Sequence, residues 1–440
     1  MLPERIPKLV GSVEEQLGSH AKLKVPFFRA AISKLEIDEV SDTLRSGWLT
    51  SGPKVKLFEK SFAEAVGAQH AVSLNSCTAA LHLAVEALAL KAGQAVLVPT
   101  MTFAATAEIV RYQGAIPILV DCDPVTANMD LNDAARKIEL LRRGKLLDGL
   151  ANDIPVVGMI PVHVGGLMMS TEDVRDFAAE HGLWVVEDAA HAFPSSWRKN
   201  EDSPWQRCGA DTAEITCFSF YANKTITTGE GGMAVTNSAQ LAERMRLMSL
   251  HGLSHDAWQR YSGGRNWDYE IMAPGFKYNL TDIAAAIGIH QLARAEEMLQ
   301  ERNHVANYYF ENLADVFEIE LPPQDTDRIH SWHLFPVKLR LEQLSIDRSG
   351  FIEELRKAGV GYSVHWRPLH LHPYYKENFG WRPEDLPVAT ALWERFVSLP
   401  IFPGMRQDEL EYVTATVKGI SRRHARKGQP RSSGSLRKIA

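Results

Sequence analysis

CFSFYANKTITTGEGGMAVT, residues 217–236, holds a buried strand ending near Phe218, a polar turn that presents Lys224, and a glycine-rich run, Gly229 to Gly232, leading back into a strand. A lysine held at the end of a buried strand is desolvated, which favours the neutral amine and makes it a nucleophile able to form a Schiff base. A lysine without that context is an ordinary surface residue. The GEGG run is not a dinucleotide fingerprint, because a strand and not a helix comes after it.

Outward from this stretch, the short apolar runs AVSL, AVLVP, IPILVD, IPVVGMIPVH, LWVVED, EITCFSF and GGMAVT alternate with helical patterns. Runs apolar on both faces predict an α/β fold in which a mostly parallel sheet lies between helix layers. Ligands of such sheets bind beyond the carboxyl ends of the strands, so residues at those ends are site candidates. LWVVEDAAHAFPSS (183–196) delivers Glu187 and Asp188 to such an end, where an acid serves the site or caps the next helix. Lys224 and Asp188 together supply what pyridoxal phosphate chemistry requires, a Schiff-base lysine and a carboxylate that keeps the pyridine nitrogen protonated. NSCTAALHLAVEALAL (75–90) starts an apolar helix at Ser76, Cys77 and Thr78, where free amides and the helix dipole suit a phosphate; the plainer reading is an N-cap. VPTMTFAATA (98–107) sets Phe103 just past a strand end, placed to stack on a planar ring or to fill core.

The chain has 440 residues, 45% apolar and 23% charged, enough for two or three domains of ordinary globular composition. The division expected is an N-terminal extension (1–25), a large cofactor-binding domain (26–280), a connecting helix (281–304) capped by Thr281 or Asp282 and continuing past Arg302, a small α/β domain (305–420), and a basic disordered tail (421–440). LRRGKLLDGLANDIP (141–155) reads as an extended surface loop. The net charge of −6 argues against a nucleic-acid partner, and without the seven basic residues of the tail the body is at −13. Attraction for a diphosphate must therefore come from local residues and helix ends. Cys77, Cys122, Cys208 and Cys217 form no CxxC pair, so neither a metal site nor a disulfide framework is expected. The charged N-terminal stretch does not read as a signal peptide, no apolar run is long enough to span a membrane, and a cytoplasmic protein is expected.

Taken together, SGWLTSGP, NSCTAALHLA, VPTMTFAAT, PVHVGG, EDAAHA, SFYANKTITTGEGG, GFKYNLTDIAAAIGIHQL, SWHLF and VHWRPLHLHPYY resemble, in order, the DegT/StrS-type nucleotide-sugar aminotransferases of fold-type I. The resemblance runs from PFFRAAIS at 26 to LPIFPGM at 405. It implies a large domain with a seven-stranded, mostly parallel sheet and pyridoxal 5′-phosphate (PLP, cycling with its amine form PMP) as cofactor. The cofactor would be linked to Lys224, with Asp188 on the pyridine nitrogen and His191, where many members carry Gln, on the phenolic oxygen. Ser76, Cys77, Thr78 and Ser219 would hold the phosphate; Cys77 stands where Gly or Ala is common. Phe103 would stack on the ring, and Asn279 would contribute near the site across a homodimer interface. Thr50, Ser51 and His365 would line the sugar and nucleotide pocket, although a histidine on an apolar strand is also a common core residue. HGLSHDAWQRY followed by PGFKYNLTD looks most like the branch that aminates C4 of UDP-4-keto sugars, with glutamate as donor. Two other readings stand beside it: a PMP-dependent sugar dehydratase, which in relatives carries histidine in place of the lysine, and a catalytically silent regulatory protein of the same fold.

Overall fold

Apolar runs buried on both faces form the centre of the large layer. The structure, a computed structural model, describes residues 23–147, 154–253 and 270–426. Seven strands, β1 (His70–Leu74), β2 (Ala95–Pro99), β3 (Ile116–Val120), β4 (Val156–Met159), β5 (Trp184–Asp188), β6 (Ile215–Ser219) and β7 (Gly232–Thr236), make one sheet in the order β1-β7-β6-β5-β4-β2-β3. All neighbours from β6 to β3 pair in parallel, and β7 alone runs against both of its neighbours. The expected mostly parallel, seven-stranded sheet is therefore present, and the reversal falls on the strand after GEGG. Burial on both faces is the reason β2 and β7 contain no alternating polar position.

Helices α1 (Lys34–Ser46), α2 (Pro53–Val66), α3 (Cys77–Ala87), α4 (Ala105–Tyr112), α5 (Leu131–Arg142), α6 (Thr171–His181) and α7 (Ala239–Ser249) cover the sheet. Helix α3 is buried over Ala79–Val85, which is why its sequence shows almost no polar face. Gly232 permits its docking: a Cβ there would stand 2.3 Å from the Ser76 carbonyl oxygen. The start of α3 is thereby held against the strand that leads out of the lysine turn.

The expected single connecting helix is two. Thr281 caps α8 (Asp282–Ala293), the chain kinks at Arg294 (φ −106°, ψ 9°), and α9 (Ala295–Leu313) continues beyond Arg302. The kink is anchored at α1: Arg294 reaches Glu36 at 2.5 Å and Gln291 reaches the same carboxylate at 2.8 Å. Burial pushes the Glu36 carboxyl up, but the hydrogen bonds from Ser33, Gln291 and Arg294 outweigh it and hold the group at about 2.

A second core gathers around β8 (Ile319–Glu320), β9 (Phe335–Leu339) and β10 (Phe396–Leu399) with α9, α10 (Arg348–Ala358) and α13 (Gln407–His424). Its limits differ from the expected 305–420. Val25 belongs to it and bridges Val360. Conversely, Leu369, Tyr375, Trp381 and Leu386, around α11 (Pro373–Phe379) and ahead of α12 (Pro387–Trp393), pack into the core of the large sheet. Asp121 at the end of β3 fastens this return by accepting the Val388 and Ala389 amides at 2.9 and 2.8 Å. The tail boundary also moves: α13 runs through 421–424, Ser421 is buried, and Arg423 pairs with Glu354 at 3.0 Å. The helix continues there because Ile420 and Ser421 are buried on its inner side. The expectations for 1–22, 148–153, 427–440 and the HGLSHDAWQRY segment beyond Leu253 lie outside the described residues. Among the described residues no helix is long and apolar enough to cross a membrane.

Candidate active site

The carboxyl ends of β1, β2, β5 and β6 open into one cavity of about 590 Å³. Ser76, Cys77, Thr78, Phe103, Asp188, His191, Ser219, Lys224 and His365 all line it, joined by Thr102, Tyr221, Asn223, Glu230, His333 and Trp366. Residues far apart in the chain meet here because parallel strands point the same way and present successive ends at one edge.

Lys224 stands five residues beyond β6, on a turn closed by its own amide to the Tyr221 carbonyl at 3.0 Å. Burial drives its ammonium down to about 8, against the opposing pull of the Asp188 charge. The neutral fraction therefore rises through that pH, and the rate at which cofactor-free protein takes up pyridoxal phosphate on Lys224 is expected to rise about tenfold from pH 7 to pH 9. Stopped-flow absorbance checks this; a flat profile over that range contradicts it.

Asp188 is the last residue of β5. Burial raises its carboxyl, and four groups pull it back: the Thr106 hydroxyl at 2.8 Å on Oδ2, the Ala190 amide at 3.1 Å on Oδ1, Lys224 and His163. Its neighbour Glu187 does not share the cavity, since successive strand residues face opposite sides. Glu187 accepts Thr216 Oγ1 at 2.7 Å and also the Thr212 hydroxyl, with His163 Nε2 at 3.4 Å. The Met169 amide donates to His163 Nδ1 at 3.2 Å, which puts that ring's proton on Nε2, toward Glu187.

His191 sits on the turn after β5. The Gly165 amide donates to its Nδ1 at 3.3 Å, so the ring proton lies on Nε2. Burial first, then Lys224, His365 and His330, hold it well below the usual imidazole range, so the ring is a neutral donor. It stacks on Trp366 with centroids 5.1 Å apart. His365 joins the wall with its nitrogens near Ser398 Oγ at 3.0 Å and Ser363 Oγ at 3.4 Å, and burial, then Lys224, lower it to about 4. It is thus both a satisfied histidine and a cavity residue.

The Ser76 hydroxyl caps α3 by accepting the Ala79 amide at 3.1 Å, leaving the first-turn amides of Cys77 and Thr78 at the cavity. Burial pushes the Cys77 thiol well up, so it is a neutral group there. Phe103 is 65% exposed, a large apolar ring on a cavity wall. A buried carboxylate, a lysine of lowered basicity, an uncovered aromatic ring and a helix N-terminus are the donor set that a pyridinium ring with a phosphate arm requires, and these residues fit it.

Three expected residues are elsewhere. Thr50, Ser51 and Asn279 do not line the Lys224 cavity. Asn279 Nδ2 donates to Ser51 Oγ at 2.7 Å, Ser51 bonds the Leu280 carbonyl, and the Thr50 carbonyl accepts the Asp282 amide at 3.1 Å. They form a separate group joining the GWLTSGP loop to the start of α8. Sequence reasoning also passed over Thr106, His333 and Trp366. The segments SWHLF and VHWRPLHLHPYY pointed to the last two without a role, whereas nothing local marks Thr106 as the partner of an aspartate 82 positions away.

Comparison with known proteins adds the family. Residues 30–418 match the DegT/DnrJ/EryC1/StrS aminotransferase family. The chain belongs to it. As a member of this aminotransferase family, the protein is an enzyme dependent on pyridoxal phosphate. It is 41% identical to the uncharacterized protein MJ1066 of Methanocaldococcus jannaschii and 38% identical to the spore coat polysaccharide biosynthesis protein SpsC of Bacillus subtilis, each over 90% of this chain and 97% of the relative. The fold matches the putative sugar aminotransferase Spr1654 of Streptococcus pneumoniae in its PMP form, with a TM-score of 0.78, 30% identity, and coverage of 91% of this chain and 98% of that one. The same protein in its PLP form matches with the same TM-score of 0.78.

Proposed function

We propose that this aminotransferase moves the amino group of glutamate to the keto carbon, at C4, of a UDP-linked keto sugar, in the cytoplasm, for a surface polysaccharide or related glycan. The observation that carries the reading is the pairing of Lys224 with Asp188 in one cavity whose rim is a helix N-terminus. The names of SpsC and Spr1654 support a sugar as acceptor.

Pyridoxal phosphate, when bound, supplies an electron sink that stabilises negative charge beside the nitrogen being transferred. The chain's own residues do the rest. Lys224 would carry the cofactor and, once released, take a proton from one carbon and deliver it to another. Asp188, which accepts the Thr106 hydroxyl and the Ala190 amide, would keep the pyridine nitrogen protonated. His191 would donate Nε2–H to the phenolic oxygen, Phe103 would cover one ring face, and the Cys77 and Thr78 amides with Ser76 and Ser219 would hold the phosphate. His365 would face the sugar.

The exposed apolar side chains Phe28, Ile32, Leu35, Leu44, Leu49 and Leu57 flank the loop of Thr50 and Ser51 in sequence, which supports a homodimer through this face. A second copy would then bring Thr50, Ser51 and Asn279 to the site of the first.

Incubation with glutamate and a panel of UDP-, dTDP- and GDP-linked keto sugars tests the reading. The expected product is an amino sugar, formed fastest from a UDP-linked 4-keto substrate. A deoxy keto sugar would indicate the dehydratase instead, which Lys224 in place of histidine argues against. Absence of any turnover across the panel would favour the silent protein.

A further inference from the structure

The other buried imidazoles in and behind the cavity wall have partners that account for them. His370 lies between Thr100 Oγ1 at 2.8 Å and Thr390 Oγ1 at 2.9 Å, His365 lies between two serine hydroxyls, and His191 accepts the Gly165 amide. His333 is different. It is 4% exposed, and among the described residues its Nδ1 has no hydrogen-bond partner and its Nε2 meets one polar group, Lys224 Nζ at 3.5 Å. A buried ring with no structural hydrogen bond calls for another explanation.

Its backbone, in contrast, is pinned on both sides. Ser331 donates its amide to Ser195 Oγ at 3.1 Å and its hydroxyl to the His191 carbonyl at 2.6 Å. Arg302 donates to the Trp332 carbonyl at 2.9 Å, and the Leu334 amide reaches the Gly165 carbonyl at 3.1 Å. Trp332 itself holds φ 49°, a left-handed conformation that a bulky residue adopts only when its surroundings enforce it. The main chain, not the ring's own bonds, aims His333 at the lysine.

We propose that His333, with its ring proton on Nδ1, presents at Nε2 the lone pair that aims the Lys224 amine and stabilises it whenever that amine carries a proton. Lys224 is faced by Asp188 from β5, by Cys77 from α3, by His191 after β5 and by His365 from the 361–366 segment, with Arg302 of α9 behind His333. Asp188 favours the ammonium through its charge but directs its hydrogen bonds to the Thr106 hydroxyl and the Ala190 amide, the Cys77 thiol is neutral, and His191 presents N–H, not a lone pair. Burial, then His191, Lys224 and Arg302, keep His333 well below the usual imidazole range, so it stays neutral. The proton remains on Lys224 throughout; His333 forms no bond to it beyond the hydrogen bond. His333 is therefore a positioning residue, and the inference rests on the proposed role of Lys224 as proton carrier.

The test measures the reactivity of Lys224 toward acetic anhydride as a function of pH in the full-length, cofactor-free protein, read by mass spectrometry of the Lys224 peptide. His333→Leu removes the acceptor and is expected to lower the labelling midpoint by about one pH unit. His333→Gln, whose side-chain carbonyl reaches where Nε2 stands, is expected to keep the wild-type midpoint. In the holoenzyme the leucine variant is expected to lose about tenfold in kcat with KM unchanged, and the glutamine variant to recover it. If leucine prevents folding, His333→Met replaces it. A midpoint unmoved by leucine or methionine, or moved as far by glutamine, overturns the inference. A wild-type protein that labels normally but never takes the cofactor on Lys224 instead overturns the proposed function.

Discussion

Lys224→Ala is expected to reduce amino transfer by at least about 10⁴-fold, because it removes both the attachment point and the group that moves the proton. Borohydride treatment of the cofactor-loaded protein, with peptide mapping afterwards, checks the attachment separately: the wild type is expected to retain the pyridoxyl group on the Lys224 peptide and the variant to retain none. The change should leave the fold intact. The Lys224 side chain has a single hydrogen-bond contact among the described residues, His333 Nε2 at 3.5 Å, and replacing a half-buried amine of lowered basicity removes a desolvation cost. Substantial turnover by the alanine variant would show that another group carries the chemistry.

Asp188→Asn should separate attachment from catalysis. Asparagine keeps the shape, and its oxygen can accept the Ala190 amide while its NH2 donates to the Thr106 hydroxyl, so the cavity should persist and Lys224 should still take up the cofactor. The variant loses the negative charge that favours a protonated pyridine nitrogen. Amino transfer is expected to fall by about 10³-fold, about 4 kcal/mol in barrier, with little change in cofactor uptake. Single-turnover absorbance with glutamate measures the first half-reaction alone; a variant within tenfold of wild type there would mean that Asp188 is not the ring's electrostatic partner. Thr106 belongs to the same device. Its hydroxyl is one of the bonds that offset the rise burial imposes on Asp188, so the charge the reaction needs depends on a residue from another βα turn.

Much of this site could be read locally. Lys224, Asp188, Ser76 and Phe103 each stand at or just beyond the end of a short apolar run, and the rule that parallel sheets bind ligands at strand ends brings them together without coordinates. Glu187 shows where that reasoning stops. A run of buried residues leaves the facing of each position undefined, and only the pairing of β5 with β4 and β6 decides that Asp188 turns to the cavity while Glu187 turns to Thr212, Thr216 and His163. The kink at Arg294 escaped for a similar reason. The apolar pattern of 282–313 continues through it, and the carboxylate that holds Arg294 there belongs to α1.

The amino-acid sequence by itself determined the layered α/β architecture, the strand that returns after GEGG, and the lysine–aspartate pair, because hydrophobic period, glycine placement and residue chemistry are local properties. Tertiary structure alone decided that the chain around α11 packs onto the large sheet, that Thr50, Ser51 and Asn279 group away from Lys224, and that His333 reaches the lysine from a backbone pinned by Arg302, Ser195 and Gly165. These depend on contacts between segments separated by tens to hundreds of residues, where the groups that meet are set by how the two cores close on each other and not by any pattern within a segment.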